Sequence, residues 1–90
     1  MHETVLMSQT QIDELLQLAR ADSQLWQTFK ERELRGDGVE AGEDKKPGMV
    51  AIVEELVRRT YGRDHRFSHA GLIIAMRRAA RLELGLPVEG

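Results

Sequence analysis

Residues 69–84 read HAGLIIAMRRAARLEL, and this stretch is the most apolar part of the chain. The run Leu72–Met76 places apolar side chains nearly all round the first half of a helix. Such a helix is typical of the centre of a bundle, or it is covered by another chain. The stretch therefore predicts an all-α protein built around this helix.

Capping signals mark both ends of this helix. Ser68 is the predicted N-cap, and Phe67 before it faces Leu72 in a hydrophobic staple. Gly85 and Pro87 end the helix, since glycine favours the left-handed C-terminal position and proline does not continue a helix.

Three further helices are predicted at about 8–21, 23–35 and 49–61, each with apolar residues at helical spacing. The first is the most clearly marked. Ser8 is its N-cap, and Gln11 completes a capping box three residues later. Together with the central helix, they predict a single domain over residues 1–90 that is a small bundle of about four helices.

The break between the first two helices rests on Asp22 or Ser23, because either can cap the second helix. No glycine or proline enforces the break, so one long bent helix over 8–35 is the alternative. Gly36 predicts the end of the second helix, and Gly62 predicts the end of the third.

Residues 36–48 read GDGVEAGEDKKPG and offer almost no side chain to bury. Glycine and charge at this density predict a flexible surface loop between the second and third helices. Pro47 is well placed to enter the third helix. A solvated linker is the favoured interpretation, and the alternative is an acidic binding loop that orders on contact with a partner.

The predicted core is small, because the chain has 90 residues with only one Trp, one Tyr and two Phe. Association with itself or with a partner would enlarge it. The side chains expected to form the core are Leu15, Leu16, Trp26, Phe29, Ile52, Leu56, Leu72, Ile73 and Met76.

Composition excludes several classes of protein. The chain has 41% hydrophobic residues and no run long enough to span a membrane. It contains no cysteine, which excludes disulfides, thiolate zinc sites and thiol nucleophiles. The first residues lack the basic start and apolar middle of a secretory signal. We therefore expect a cytoplasmic protein that does not enter membranes.

The residue types of catalysis occur only in a weak arrangement. Asp64, His65 and Ser68 include the types of a hydrolase triad, but such triads are normally assembled from distant segments. His65 and His69 are four residues apart, a spacing that would align two metal ligands on one helical face. However, a structural zinc site needs four ligands, and without cysteine only scattered carboxylates could supply the other two. Phosphate loops and dinucleotide fingerprints are absent. The sequence predicts no enzyme, no metal and no cofactor.

Positive charge is concentrated in the second half of the chain. Residues 1–45 carry ten acidic against five basic side chains, and residues 46–90 carry five against eight, which gives the net charge of −2. Seven arginines are candidates for binding a partner or phosphate groups. They are Arg58, Arg59, Arg63, Arg66, Arg77, Arg78 and Arg81.

These arginines would flank a common groove if the third and fourth helices packed antiparallel, so nucleic-acid binding is one hypothesis. The helix–loop–helix order also invites comparison with a helix-turn-helix. However, the connection 62–67 is longer than the usual turn, and residues 71–74 are apolar where base recognition needs polar groups. The alternative is a solvated face that pairs with the acids of the first half.

Residues 8–30, with Leu15-Leu16, Ala21-Asp22-Ser23 and Leu25 to Phe29, resemble the opening of the nitrogen-fixation-associated leader-peptide family. Tyr61-Gly62 and Phe67-Ser68 are similar to a later segment of that family. The chain departs from the pattern, because Ser23 stands where proline is expected and no double-glycine cleavage site is present. The resemblance implies a leader-like protein that a modifying enzyme recognises.

The favoured hypothesis is a small non-catalytic regulatory or adaptor protein that acts by binding another protein. It rests on the lack of catalytic groups, the polarised charge and the over-apolar fourth helix. Inhibitors and accessory subunits of phage or plasmid type share this profile. Nucleic-acid binding is the alternative, and a leader-like protein is the remote one.

A homodimer is expected to form on the fourth helix. Ile74, Leu82 and Leu86 would form an apolar patch on its outer side. Arg77, Arg78 and Arg81 would surround that patch and meet acids of a second chain, such as Glu31, Glu33 or Glu83. The alternative is that the first helix or the segment 5–7 covers this side within one chain.

Overall fold

A computed structural model of the chain describes residues 3–36 and 48–88. Pro47 and the interior of the predicted 36–48 loop lie outside these residues. The described residues form four α-helices and no strand, which confirms the all-α prediction. The helices are α1 (Gln9–Ala21), α2 (Ser23–Arg35), α3 (Met49–Tyr61) and α4 (Ala70–Leu84).

Asp22 separates α1 from α2. Its backbone is extended, with φ −90° and ψ 93°, and this ends α1. Its carboxylate Oδ1 accepts a hydrogen bond of 3.2 Å from the Leu25 N–H and caps α2. The prediction of two helices is therefore confirmed, and the single bent helix is wrong.

The predicted capping box at the start of α1 is also confirmed. The Ser8 hydroxyl accepts from the Gln11 N–H at 3.1 Å, and the Ser8 N–H donates to Gln11 Oε1 at 2.9 Å. At the helix ends, Gly36 and Gly85 adopt the left-handed conformation expected of C-terminal glycines, with φ of 73° and 72°. Gly62, with φ 91°, ends α3.

The predicted start of α4 is wrong by one residue. His69, not Ser68, occupies the N-cap position, and its side chain makes no capping bond. The Ile73 N–H donates to the His69 carbonyl at 2.9 Å, and the segment before the helix pairs with the N-terminal segment. The Val5 N–H donates to the Arg66 carbonyl at 2.7 Å, and the Ser68 N–H donates to the Val5 carbonyl at 2.8 Å.

Phe67, which was predicted to form a staple with Leu72, makes an aromatic contact with α3. The ring of Phe67 packs on Tyr61 at the end of α3, with centroids 4.8 Å apart. Phe67 also packs against the core in which Leu72 is fully buried, and a direct contact between these two residues stays a prediction. The aromatic contact fixes the connection between α3 and α4 to the body of the protein.

Helices α1 and α4 run in the same direction. Near the starts of the two helices, Ile12 of α1 lies close to Gly71 of α4. A Cβ atom added to Gly71 would stand 2.9 Å from the Cδ1 atom of Ile12. A side chain on Gly71 would therefore require the end of the Ile12 side chain to shift. Near the ends of the two helices, Arg20 Nε forms an ion pair with Glu83 Oε2 at 3.2 Å.

Helix α2 runs opposite to α4. The indole Nε1 of Trp26, near the start of α2, donates to Glu83 Oε1 near the end of α4 at 3.0 Å. At the other end of α2, Glu33 pairs with Arg77 in the middle of α4. Polar bonds therefore join these two helices at both ends of their contact.

The core lies between all four helices and contains seven of the nine predicted side chains. The other two, Leu16 and Ile73, are only partly buried and pack against its edge. The list of predicted core residues did not include five residues that α1, α3 and α4 also bury. These are Ala19, Met49, Val53, Val57 and Ala80.

Candidate functional site

The outer face of α4, defined here as Ile74, Arg78 and Leu82, is the most prominent apolar surface on that helix. The exposed fractions of Ile74 and Leu82 are 57% and 67%. The three residues are spaced by four, so they lie along one side of the helix. The buried residues Leu72 and Met76 lie on the opposite side.

No described part of the chain covers this face. The N-terminal segment pairs through Val5 with residues 66–68, before α4 begins, and Leu6 is 80% exposed. The first helix meets α4 at Gly71 and Glu83, away from the outer face. The alternative in which α1 or residues 5–7 cover this side is therefore wrong.

The C-terminal tail forms one wall of a depression beside the outer face. Arg81 Nε donates to the Pro87 carbonyl at 2.5 Å, and the Leu86 N–H donates to the Arg81 carbonyl at 2.9 Å. These bonds turn the tail back along the helix and leave Leu86 partly buried. The depression measures about 330 Å³ and is lined by Ile73, Ile74, Arg77, Arg78, Arg81 and Val88.

A buried carboxylate holds two of the predicted arginines. Glu33 is 3% exposed, and its Oε1 accepts from Arg77 Nε at 2.7 Å. Its Oε2 accepts from Arg77 Nη2 at 3.2 Å and from Arg81 Nη1 at 2.9 Å. Burial raises the pKa of Glu33, but these bonds outweigh it and hold the pKa below its usual value.

The predicted alternative, in which the arginines pair with acids of the first half, holds for Arg59, Arg77 and Arg81. It did not single out Glu33, although a signal was present. Glu33 lies seven residues after Trp26 and four after Phe29, which places it on the buried side of α2. Glu33 and Glu83, which were expected to meet the arginines of a second chain, instead bind groups of their own chain.

The predicted arginines occupy separate places. Arg59 pairs with Asp22 at 3.1 Å and with Glu55 at 3.4 Å, and Arg58 also pairs with Glu55. Arg58 and Arg59 line a groove between α2 and α3, whereas Arg77, Arg78 and Arg81 line the depression on α4. The two groups therefore do not flank a common groove, and phosphate binding stays a prediction.

Three of the seven arginines are exposed and make no ion pair with any described residue. Arg63 and Arg66 lie in the connection between α3 and α4, and Arg78 lies on the outer face of α4. Arg78 lies between the exposed aliphatic side chains of Ile74 and Leu82.

The groups considered for catalysis and metal binding make bonds within the connection itself. His65 Nδ1 accepts from the Phe67 N–H at 3.2 Å, and the Ser68 hydroxyl accepts from the Ala70 N–H at 3.3 Å. The His65 and His69 rings have centroids 5.5 Å apart. Among residues 3–36 and 48–88, no group of three or more side chains is arranged to hold a metal ion.

Comparisons with protein-family models, with curated proteins and with solved structures give no match. The resemblance to the leader-peptide family thus has no family match behind it. In the part of the chain that the structure describes, no helix has both the length and the apolar character to cross a membrane. The function is therefore argued from the geometry.

His69 predicts a dependence of stability on pH. Its ring is partly buried, and Nε2 has no hydrogen-bond partner within the described residues. Burial lowers the pKa of His69, nearby Glu54 partly opposes this, and His65 lowers it further. The unfolded chain therefore binds this proton at higher pH than the folded chain does, and acid favours unfolding.

We expect the free energy of unfolding to fall as the pH drops from about 8 to about 5.5. Urea denaturation across this range measures the slope, and His69→Leu should flatten it. His65→Leu should reduce the slope only in part, because His65 contributes to the lowered pKa of His69. An equal slope in wild type and in His69→Leu would contradict this account of His69.

Proposed function

We propose that this chain is a small non-catalytic protein of regulatory or adaptor type that binds an acidic helical segment of another protein on the outer face of α4. One observation carries the proposal. Ile74 and Leu82 are exposed large aliphatic side chains, and they flank the exposed Arg78 along one side of a helix.

The apolar part of this face supplies affinity. Burial of aliphatic surface contributes about 25 cal/mol per Å². A partner helix with apolar residues four apart can cover Ile74 and Leu82 together, in the manner of helix recognition by grooves. The depression beside Ile74, bounded by Val88, offers room for a further apolar side chain.

The charged part of this face supplies selectivity. Arg78 makes no ion pair with any described residue, so a carboxylate of the partner can meet it. Complementary charge favours the correct partner and faster association more than it adds affinity. The partner chemistry that fits is therefore an acidic residue between two apolar ones on a helix.

Charge also argues against a second copy as the occupant. Two α4 helices related by a two-fold axis at this face would bring Arg78 opposite the same residue of the other chain. Like charges in contact across an interface are unfavourable. The homodimer expected from the sequence is therefore the competing outcome of the test.

Nucleic-acid binding has less support. Arg58, Arg59, Arg77 and Arg81 already pair with carboxylates of the same chain. A continuous row of unpaired cations is the feature that phosphate recognition uses. The lack of cysteine also suits a protein that works in the cytoplasm, where an inhibitor or accessory subunit would meet its target.

The test uses two helical probe peptides of about 15 residues with the same apolar stripe. One carries Glu between two Leu at four-residue spacing, and the other carries Lys there. Fluorescence anisotropy should show binding of the Glu peptide alone. Arg78→Glu should weaken binding at least about tenfold, and Ile74→Glu should abolish it. Glu14→Gln, which changes an exposed residue of α1, is the control.

Equal binding of both peptides, or unchanged binding by Arg78→Glu, would overturn the proposal. Light scattering that shows a dimer dissociated by Ile74→Glu would assign this face to a second copy instead. Tight, salt-sensitive binding of mixed DNA or RNA in a gel shift would favour the nucleic-acid alternative.

A further inference from the structure

A groove of about 680 Å³ lies between α2 and α3. Leu25 of α2 and Ala51 and Ile52 of α3 supply its apolar lining. Leu25 packs against the core while keeping part of its surface exposed, and Ile52 is buried. The groove therefore offers an apolar base on which the aliphatic part of a ligand can rest.

Most charges along the groove neutralise one another. The Asp22 Oδ2 atom pairs with Arg59 Nη1 at 3.1 Å, and Glu55 Oε2 pairs with Arg59 Nε at 3.4 Å. Arg58 pairs with Glu55 as well. Two carboxylates and two guanidinium groups thus form a closed network along the rim. The pKa of Glu55 is lowered, chiefly by the hydrogen bond from Arg58, so the carboxylate stays charged near neutral pH.

Glu54 is a carboxylate of the groove that takes no part in this network. It lines the groove, is exposed, and makes no ion pair with a described residue. The neighbouring groove residue His69 does not supply a counter-charge near neutral pH, because burial lowers its pKa. Among the groove's described residues, a single negative charge therefore stands beside an apolar base.

We propose that the α2–α3 groove binds a lysine side chain of a partner protein, with its ammonium group at Glu54 and its aliphatic stem on Leu25 and Ile52. Lysine suits both parts of the groove, because its four methylene groups cover apolar surface while the charged end meets an acid. A carboxylate ligand would meet Glu54 with like charge, and a purely apolar ligand would leave Glu54 unpaired.

This inference does not depend on the outer face of α4. The two surfaces use different residues and select opposite charges. If the acidic peptide did not bind α4, the proposal for the groove would still stand. If lysine did not bind the groove, the proposal for α4 would still stand.

The test is an NMR titration of the full chain with three small probes: the acetyl methylamides of lysine, norleucine and glutamate. The lysine probe should shift the resonances of Leu25, Ile52 and Glu54, with a dissociation constant on the order of 1 mM. Norleucine lacks the ammonium group and should bind at least about tenfold more weakly. Glutamate should cause no shift at these residues.

Glu54→Gln should weaken the lysine probe at least about tenfold. Because Glu54 is exposed, this variant should keep the wild-type melting temperature. Glu14→Gln removes an exposed acid from α1 and is the matched control. Equal binding of lysine and norleucine, persistence of the shifts in Glu54→Gln, or shifts scattered over the protein would each overturn the proposal.

Discussion

Replacing Glu33 by Ala should lower the free energy of unfolding by about 3 kcal/mol. The substitution removes the carboxylate that binds both Arg77 and Arg81. Breaking a buried ion pair from one side costs about 3–5 kcal/mol, and the lower end applies because both guanidinium groups retain some contact with solvent. Urea denaturation monitored by circular dichroism measures the loss.

Two variants make this result specific. Glu14→Ala removes an exposed acid from α1 and should change stability by less than about 0.5 kcal/mol. Glu33→Gln keeps the side-chain volume but loses the charge, so its free energy of unfolding should lie between those of wild type and Glu33→Ala. A loss below about 1 kcal/mol in Glu33→Ala would show that the cluster does not hold α2 against α4.

The same carboxylate predicts a loss of stability in acid. The pKa of Glu33 is lowered in the folded state from the ordinary value of 4.5. Its contribution is therefore present above that value and is lost as the pH falls through the folded pKa. This window lies below the one in which His69 acts, so the two effects are separable.

Phe29→Ala should be at least as damaging, at about 3–5 kcal/mol. Phe29 is fully buried, and its ring stacks on Trp26 with centroids 5.7 Å apart. Truncation leaves a cavity that four packed helices close only in part. In a domain of this size each kcal/mol lowers the melting temperature by about 4–8 °C, so calorimetry should show a fall of more than about 12 °C.

Leu34→Ala is the matched control for Phe29→Ala. Leu34 lies on the same helix as Phe29, but its side chain is 59% exposed. Its truncation should therefore change the melting temperature by only roughly a few degrees. If Phe29→Ala melted within the range of Leu34→Ala, the assignment of the buried side of α2 would be wrong.

The helices were predictable because their ends are local events. Asp22 ends one helix and caps the next through a bond that spans three residues, and Ser8 with Gln11 caps the start of α1 through bonds of the same span. Such signals lie within one turn and need no knowledge of the fold. Gly36 and Gly85 are equally local, since only their own backbone decides the left-handed conformation.

Contacts between distant segments were not predictable in the same way. Val5 pairs with residues 66–68, which lie in the other half of the chain. Glu33 and Arg77 are 44 positions apart in sequence, so no local pattern joins them. Leu86 was expected on the outer patch, but the turn after Gly85 carries it back toward Arg81 and partly buries it.

The candidate site stands between these cases. Ile74 and Leu82 follow from helical spacing once Leu72 and Met76 are assigned to the core, and both are exposed as expected. The charge of the surrounding surface required the structure, because pairing with Glu33 separates Arg77 and Arg81 from Arg78. Because Glu33 neutralises part of the charge of Arg77 and Arg81, the outer face carries the single exposed cation Arg78 and not a basic patch of three arginines.

The most direct test of the docking surface is amide hydrogen exchange of the full chain with and without the Glu-bearing probe peptide. The outer face of α4 predicts slower exchange in residues 74–88 and unchanged exchange in α1 and in the α2–α3 groove. Protection centred on α1 or on the groove, or no protection at saturating peptide, would contradict the account.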